Sequence, residues 1–188
     1  IKTSDEYNYS LEVLKAVERV NEKQKGILFE KLKTHFNGDL KGKKIALWGL
    51  SFKPNTDDMR EAPSITLVEK LNKAGTQVVG YDPVALHEAK RKLGDAIEYT
   101  DDQYKAIEDA DALILVTEWS EFRVPEWKKM EQLMKNKLIL DGRRKPLDVM
   151  QHEHAVLGLL QVPLQPLKAV LVAGEPTAAV ADIVILEE

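Results

Sequence analysis

The sequence predicts an α/β fold in which one long helix is followed by a parallel sheet with helices on both faces. Short apolar runs of strand length recur between residues 45 and 140, and helical stretches separate consecutive runs. Apolar residues also recur at three- and four-residue steps over residues 10–36, which is the pattern of an amphipathic helix. Together these patterns indicate a Rossmann-like, doubly wound parallel sheet preceded by a long α-helix.

The long helix is predicted to begin near Ser10 and to end near Phe36. Ser10 is a candidate N-cap, and Asn37 and Gly38 tolerate the left-handed conformation in which helices commonly end. At 1.5 Å per residue such a helix is about 40 Å long. It could pack on its own domain or serve as a domain connector or dimer helix, and the pattern alone leaves both interpretations open.

The strands of the sheet are predicted at residues 45–48, 77–81, 96–99, 112–116 and 137–140. Helices are predicted from about Pro63 to Gly75 and over residues 86–93, 102–108 and 126–134. Ligands of doubly wound sheets bind at the carboxyl ends of the strands. The residues that follow Leu50, Tyr81, Val116 and Leu140 are therefore the candidates for function.

Residues 145–188 differ in composition from the rest, being rich in Pro, Gln, Val, Leu and Ala. Segments 168–174 and 183–186 are candidate strands, although a loosely ordered arm is an equally good interpretation. We therefore divide the chain into a central or dimerisation helix (1–40), a Rossmann-like ligand-binding domain (41–144) and a tail of uncertain structure (145–188).

Composition and charge exclude several classes of function. A formal net charge of -4 argues against a nucleic-acid-binding surface, and apolar runs of strand length argue against a membrane span. The first residues show neither an initiator Met nor a signal pattern, so we expect an internal cut in a longer, cytoplasmic protein. With 0 cysteines there is no thiolate nucleophile or thiolate metal ligand, and the four histidines have no spaced acidic partners for a metal site.

The loop after the first strand lacks the glycine-rich motif of a dinucleotide site. Such a site needs three glycines, which let the backbone approach a pyrophosphate, and Gly49 alone is present. The loop instead carries Phe52 and Lys53, a pair suited to covering a base or sugar and neutralising a phosphate. Taken alone, Phe52 is more typical of a core residue, Lys53 of a solvated surface lysine, and Arg60 of a partner for a nearby carboxylate.

The sixteen residues at 49–64, GLSFKPNTDDMREAPS, resemble the signature stretch of the UDP-glucose/GDP-mannose dehydrogenase family, nearest its UDP-glucose 6-dehydrogenase branch. Three further motifs agree with that family in order: Tyr81-Asp82-Pro83, Thr117-Glu118-Trp119-Ser120-Glu121-Phe122 and Asp141-Gly142-Arg143. The long helix also resembles the family's central helix. The resemblance covers residues 9–144.

The resemblance implies specific ligands and contacts. Phe52 and Lys53 would contact the nucleotide sugar, UDP-glucose or UDP-glucuronate, and Arg143 would lie by the same ligand, in the same subunit or from its partner. Arg60 is similar to the arginine that this half of the enzyme lends to the NAD site of the other half. A homodimer formed through the long helix is expected. UDP-N-acetyl sugars and GDP-mannose remain alternative substrates.

No catalytic residue is assigned to this chain. Family members oxidise the C6 alcohol with two NAD molecules while a cysteine thiolate holds the intermediate, and this sequence has no Cys. The thiolate, the acid/base residues and the main NAD site are expected upstream, so the chain alone is predicted to be inactive. A non-catalytic nucleotide-binding or assembly module is the competing hypothesis.

Three residues near the predicted site have plainer interpretations. Asp82 is expected to fix the turn before Pro83 and to cap the following helix. Trp119 and Phe122 are expected to pack inside the domain.

Overall fold

The structure is a computed structural model that describes residues 12–142 and the backbone of a short strand at 182–185. Its helices are α1 (Glu12–His35), α2 (Pro63–Lys73), α3 (Leu86–Leu93), α4 (Gln103–Ala106) and α5 (Trp127–Leu133). Its strands are β1 (Lys44–Trp48), β2 (Gln77–Tyr81), β3 (Glu98–Tyr99), β4 (Ala112–Leu115), β5 (Leu138–Asp141) and β6 (Asp182–Ile185). Two 3₁₀ turns lie at Gly94–Ala96 and Ser120–Phe122.

The described strands form one sheet in the order β3-β2-β1-β4-β5-β6. Neighbours among the first five of these strands are parallel. Strands β1 to β5 are joined in chain order, each to the following one by a helical crossover. This order, which reverses direction between β1 and β4, is that of a Rossmann-like doubly wound sheet. The predicted fold class is confirmed.

Strand β6 comes from the tail and lies antiparallel to β5, with Asp182 opposite Asp141. The candidate strand predicted at 183–186 is thus present, shifted by one residue, and it is the exception to the parallel arrangement. The other candidate strand of the tail, at 168–174, lies outside the described residues.

Both faces of the sheet are buried, and successive side chains of β1 point alternately into two separate cores. Ile45 and Leu47 pack with α1, α2 and α3 on one face. Ala46 and Trp48 pack with α4 and α5 on the other face. A strand buried on both sides has no polar face, which explains why these strands appear in the sequence as continuous apolar runs.

Helix α1 packs on the sheet only through its second half. Leu32 is fully buried in the core, and Leu28 and Phe29 pack against it. The first half carries an exposed apolar stripe that consists of Val13, Leu14, Val17 and Val20. The helix ends as predicted at left-handed Asn37 and Gly38, whereas the predicted N-cap, Ser10, lies outside the described residues.

Helix α4 is shorter than the predicted span of 102–108. Asp102 caps it by accepting hydrogen bonds from the backbone N–H groups of Tyr104 and Lys105. The left-handed conformation of Asp109, at φ 53°, then turns the chain into β4. A polar residue in a left-handed turn cannot be distinguished from a helical one by periodicity alone.

Candidate functional site

The candidate site lies where the loops after β1, β2 and β4 meet at the carboxyl edge of the sheet. The backbone N–H of Gly49 donates to the Tyr81 carbonyl at 2.8 Å, and the N–H of Val116 donates to the Trp48 carbonyl at 2.9 Å. These bonds continue the parallel ladder past the last strand residues. The loops predicted to carry function are therefore held side by side.

Gly49 is required at the start of the β1 loop for two reasons. Its φ of +86° is the left-handed region, and a Cβ at this position would lie 2.5 Å from the Thr117 Cβ and 2.7 Å from the Thr117 N. Much of this contact is with backbone, which cannot rotate away. The close approach lets the Thr117 hydroxyl donate to the Ser51 carbonyl at 2.6 Å and join the two loops.

Asp82, after β2, binds three segments of the site at once. It is completely buried. One carboxylate oxygen, Oδ1, accepts the backbone N–H groups of Val84 and Ala85 at 3.0 and 2.7 Å. The other, Oδ2, accepts the N–H groups of Leu50 and Ser51 at 2.7 and 3.1 Å and the Trp119 indole at 3.2 Å. The predicted turn is confirmed, whereas the predicted cap is not: the following helix has Ala85 as its N-cap, without a side-chain hydrogen bond. The contacts to the β1 and β4 loops are an additional finding.

Hydrogen bonds hold the β1 loop at several points along its length. The Ser51 hydroxyl donates to the Lys53 carbonyl at 3.1 Å, and the Phe52 N–H donates to the Asp58 carbonyl at 2.8 Å. At the far end of the loop, the buried Ser64 hydroxyl donates to the Leu50 carbonyl. A left-handed Asn55, at φ 62°, provides the reversal between these contacts.

This anchoring presents Phe52 and Lys53 at the surface. Phe52 is 50% exposed, so the interpretation of this residue as part of the core is wrong. Its neighbours Leu50 and Ser51 are buried, so the backbone is fixed immediately before the exposed aromatic ring. Lys53 is exposed beside it, as both interpretations of that residue require.

Arg60 forms an ion pair with Asp58, as the plainer interpretation of Arg60 predicts. The Nε and Nη2 atoms donate to the two carboxylate oxygens at 3.0 and 2.9 Å, and the Arg60 N–H also donates to Oδ1. These bonds lower the pKa of Asp58 to about 2. The Arg60 side chain is nevertheless 89% exposed, so the pair orients the guanidinium at the surface without enclosing it.

Helix α1 contacts the same loop through Lys25. The Lys25 ammonium lies 2.8 Å from Glu22 and 2.8 Å from Glu61, which stands in the left-handed region at φ 55°. Hydrogen bonds to Glu22 and Glu61 raise the pKa of Lys25, and the same contact lowers the pKa of Glu61. The loop that carries Arg60 is thereby fixed to the helix.

The end of β5 also lies against α1. A Cβ on Gly142 would be 2.7 Å from the end of the Leu28 side chain and 3.0 Å from the Leu115 carbonyl, so the chain passes close to both helix and sheet here. Arg143, which follows directly, lies outside the described residues. The structure therefore brings together Phe52, Lys53 and Arg60, while the position of Arg143 stays a prediction.

An aromatic cluster packs in the core next to the site. Trp48 and Phe122 stack at 5.1 Å, and Tyr81 meets Phe122 edge to face at 6.0 Å. Trp119 and Phe122 are buried, which confirms their predicted packing role. Burial, together with a hydrogen bond to Glu121, raises the pKa of Tyr81 well above its ordinary range.

The site does not fit a dinucleotide or a metal ion. The turn after β1 contains Gly49 as its single glycine, and the N–H groups of the next two residues, Leu50 and Ser51, already donate to Asp82. Within residues 12–142, no group of three or more His, Asp or Glu side chains could hold a metal ion. His35 and His87 lie exposed on α1 and α3, and His152 and His154 lie outside the described part of the chain.

A cleft lies at the opposite, amino-terminal edge of the sheet. This cleft of ≈ 450 Å³ lies between the ends of α1 and α2, with Lys33, Lys41, Lys70 and Lys73 around it. None of the predicted site residues lines it. Basic side chains in the last turn of a helix stabilise its carboxyl end, which accounts for Lys33, Lys70 and Lys73.

Over the part of the chain that the structure describes, no helix is both long enough and apolar enough to cross a membrane.

Comparison with known proteins gives consistent results. The UDP binding domain of the UDP-glucose/GDP-mannose dehydrogenase family, as a family model, matches residues 46–146. A UDP-glucose 6-dehydrogenase from Pseudomonas aeruginosa is 43% identical over 148 residues, covering 76% of this chain and 33% of the relative. One from Rhizobium meliloti is 39% identical over 143 residues, covering 76% and 32%. The chain thus spans about a third of the length of these curated relatives.

Solved structures agree with the sequence relatives. A UDP-glucose dehydrogenase from the hyperthermophilic archaeon Pyrobaculum islandicum superposes with a TM-score of 0.67 at 29% identity. The match covers 76% of this chain and 31% of that one.

Proposed function

Because the chain belongs to the UDP-glucose/GDP-mannose dehydrogenase family and carries its UDP binding domain, we propose that the carboxyl edge of its sheet holds UDP-glucose or UDP-glucuronate. The observation that carries this proposal is the presentation of Phe52 and Lys53. An aromatic ring and an ammonium group stand exposed on a loop whose preceding residues are buried and hydrogen-bonded. Such preorganisation lowers the entropic cost of binding.

The two side chains suit different parts of a nucleoside diphosphate sugar. The face of Phe52 can cover the base or the sugar, and the Lys53 ammonium can neutralise a phosphate. Arg143, as a third contact, would bring a planar donor fork that matches phosphate oxygens. We assign these three residues to substrate binding.

Arg60 is assigned to the NAD site of the complete enzyme. Its exposed guanidinium is held by Asp58 in a fixed direction at the rim of the loop, which suits a contact with an anionic cofactor bound by another domain. NAD supplies hydride acceptance when it is bound. The turn after β1 in this chain does not fit it.

The activity of the complete enzyme is proposed to be the cytoplasmic oxidation of UDP-glucose by two NAD⁺ to UDP-glucuronate. That reaction passes through an acyl intermediate for which a thiolate is the suited nucleophile. The 188 residues contain 0 cysteines, so this chain positions substrate and has no group that could hold the intermediate. Alone, it is proposed to bind and not to oxidise.

An assembly role through α1 is the second candidate. The apolar stripe on the first half of the helix is exposed, with Val13 at 77% and Val20 at 56%, and unpaired apolar faces of this kind are commonly covered by another chain or domain. We propose that it forms a homodimer contact. Sedimentation of the chain would show a concentration-dependent dimer if so, and a monomer at high concentration would contradict it.

Calorimetric titration of the chain with UDP tests the binding proposal. Loss of one charge-assisted contact costs about 1.5–3 kcal/mol, so Lys53→Ala should weaken UDP binding about ten- to hundredfold. Lys73→Ala, which removes an equal charge at the opposite edge of the sheet, should leave the affinity within about twofold. Failure of the unmodified chain to bind UDP, or equal effects of the two variants, would contradict the site assignment.

A further inference from the structure

The most completely buried charged group at the candidate site is also the one with the most partners. Asp82 stands at the carboxyl end of β2 with an exposure of 0%. Its two oxygens accept five hydrogen bonds, from the N–H groups of Leu50, Ser51, Val84 and Ala85 and from the Trp119 indole. Two of these donors belong to the turn that a dinucleotide-binding fold would use for its ligand.

That turn has a known chemistry in sheets of this topology. The backbone N–H groups between β1 and the next helix form a nest that binds the pyrophosphate of a dinucleotide. In this chain the N–H groups of Leu50 and Ser51 instead converge on Asp82 Oδ2 at 2.7 and 3.1 Å. A carboxylate oxygen of the protein thus stands where a phosphate oxygen of a ligand would accept the same donors.

We infer that Asp82 is a positioning residue: its carboxylate fills the dinucleotide nest and thereby fixes the loop that presents Phe52 and Lys53. The backbone is held at Leu50 and Ser51, and Ser51 in turn hydrogen-bonds Lys53 and Thr117. A ligand phosphate is therefore kept out of the nest and meets the Lys53 side chain further along the loop. The identity of that ligand rests on the proposed function, but the occupied nest does not.

The same filled nest excludes NAD from this turn. A pyrophosphate there would have to displace a buried carboxylate of like charge from the N–H groups of Leu50 and Ser51. The missing glycine motif and the internal carboxylate both distinguish this loop from the nest of a dinucleotide site.

A second buried aspartate provides a matched control. Asp111 is 3% exposed and lies at the opposite edge of the sheet, before β4. It accepts the Lys44 N–H at 2.9 Å and the Asn136 amide at 3.0 Å, and it pairs with Lys135 at 3.1 Å. An Asp→Asn substitution at this position also perturbs a buried hydrogen-bonded carboxylate, but far from the β1 loop.

The test compares Asp82→Asn and Asp111→Asn in the whole 188-residue chain, by amide hydrogen exchange and by titration with UDP. The new amide group turns one acceptor of Asp82 into a donor that faces other donors. We expect exchange at Leu50 and Ser51 to accelerate at least about tenfold and UDP to bind at least about tenfold more weakly. Asp111→Asn should change neither measurement by more than about twofold, even if it lowers the melting temperature equally.

Several results would overturn the inference. One is an Asp82→Asn variant in which the Leu50 and Ser51 amides stay protected from hydrogen exchange and UDP binds as tightly as before. Another is an equal loss of affinity in Asp111→Asn, which would mark a merely structural role.

If Asp82→Asn does not fold, hydrogen exchange in the unmodified chain still tests the inference. Its Leu50 and Ser51 amides must be protected without ligand and stay so with NAD or UDP, and unprotected amides contradict the inference. Absence of UDP binding alone refutes the proposed function and leaves the exchange result to judge Asp82.

Discussion

Replacing Gly49 with alanine places a methyl group inside the backbone of the neighbouring loop. The new Cβ would lie 2.5 Å from the Thr117 Cβ, 2.7 Å from its N and 2.9 Å from its Cα. Real Cβ atoms do not approach other heavy atoms so closely, and Thr117 cannot retreat without losing its bond to the Ser51 carbonyl. The substitution should therefore separate the β1 and β4 loops at the site.

The magnitude can be separated into a conformational and a steric part with a matched glycine. Gly38 has nearly the same φ, +87° against +86°, but a Cβ there would meet nothing within 4 Å. Gly38→Ala should thus cost only the left-handed conformation, about 1–2 kcal/mol. Gly49→Ala adds overpacking of about 1–3 kcal/mol and a lost hydrogen bond of about 1 kcal/mol, for a total of about 3–6 kcal/mol.

Urea unfolding of the two variants, followed by circular dichroism, measures the difference directly. We expect Gly49→Ala to lower the free energy of unfolding by at least about 2 kcal/mol more than Gly38→Ala. A Gly49 variant that does not fold, beside a folded Gly38 variant, agrees with the same reasoning because domains are stable by only about 5–15 kcal/mol. Equal losses in the two variants would refute the steric argument.

Three further predictions concern the ion pairs and the long helix. Because Arg60 lowers the pKa of Asp58 to about 2 from its ordinary 3.8, this pair stabilises the fold above pH 3.8 and the stabilisation is lost as the pH falls through 2. Arg60→Ala should return the NMR titration midpoint of Asp58 towards 3.8, and a midpoint that stays near 2 would show that Arg60 is not the cause. Lys25→Ala should likewise raise the pKa of Glu61 towards 4.5, and an unchanged titration would contradict the contact between α1 and the loop. Leu32→Ala, at the buried side of α1, should cost about 2–5 kcal/mol in urea unfolding, whereas a loss below about 1 kcal/mol would mean that the helix does not pack on the sheet.

The fold could be predicted because the central strands β1, β4 and β5 are buried on both faces. The runs at residues 45–48, 112–116 and 138–140 are apolar throughout, and turn or cap residues such as Gly75 and Asp102 separate the strands from the helices. Burial of this kind is a property of consecutive residues, so it is visible in one dimension. The direction of β6 was not predictable, since pairing of a distant segment with β5 depends on the folded edge of the sheet.

The site could be predicted only in part, because its geometry depends on contacts between distant segments. The local role of Asp82 in the turn could be predicted, but its bonds to Leu50, Ser51 and Trp119 join residues 31 to 37 positions apart. Phe52 resembled a core residue in isolation, and only the anchored loop shows why it is exposed. The occupied nest had one sequence signal: an acid after the second strand combined with a missing glycine motif after the first.

The central claim is that the carboxyl edge of the sheet binds a nucleoside diphosphate sugar through the loop after β1. An NMR titration of the ¹⁵N-labelled chain with UDP tests it most directly, because it reports the location of binding as well as its strength. The account predicts saturable shifts concentrated at Phe52, Lys53 and the neighbouring residues near Thr117, with none at the amino-terminal cleft around Lys41 and Lys73. Shifts confined to that cleft, or none anywhere at millimolar UDP, would contradict it.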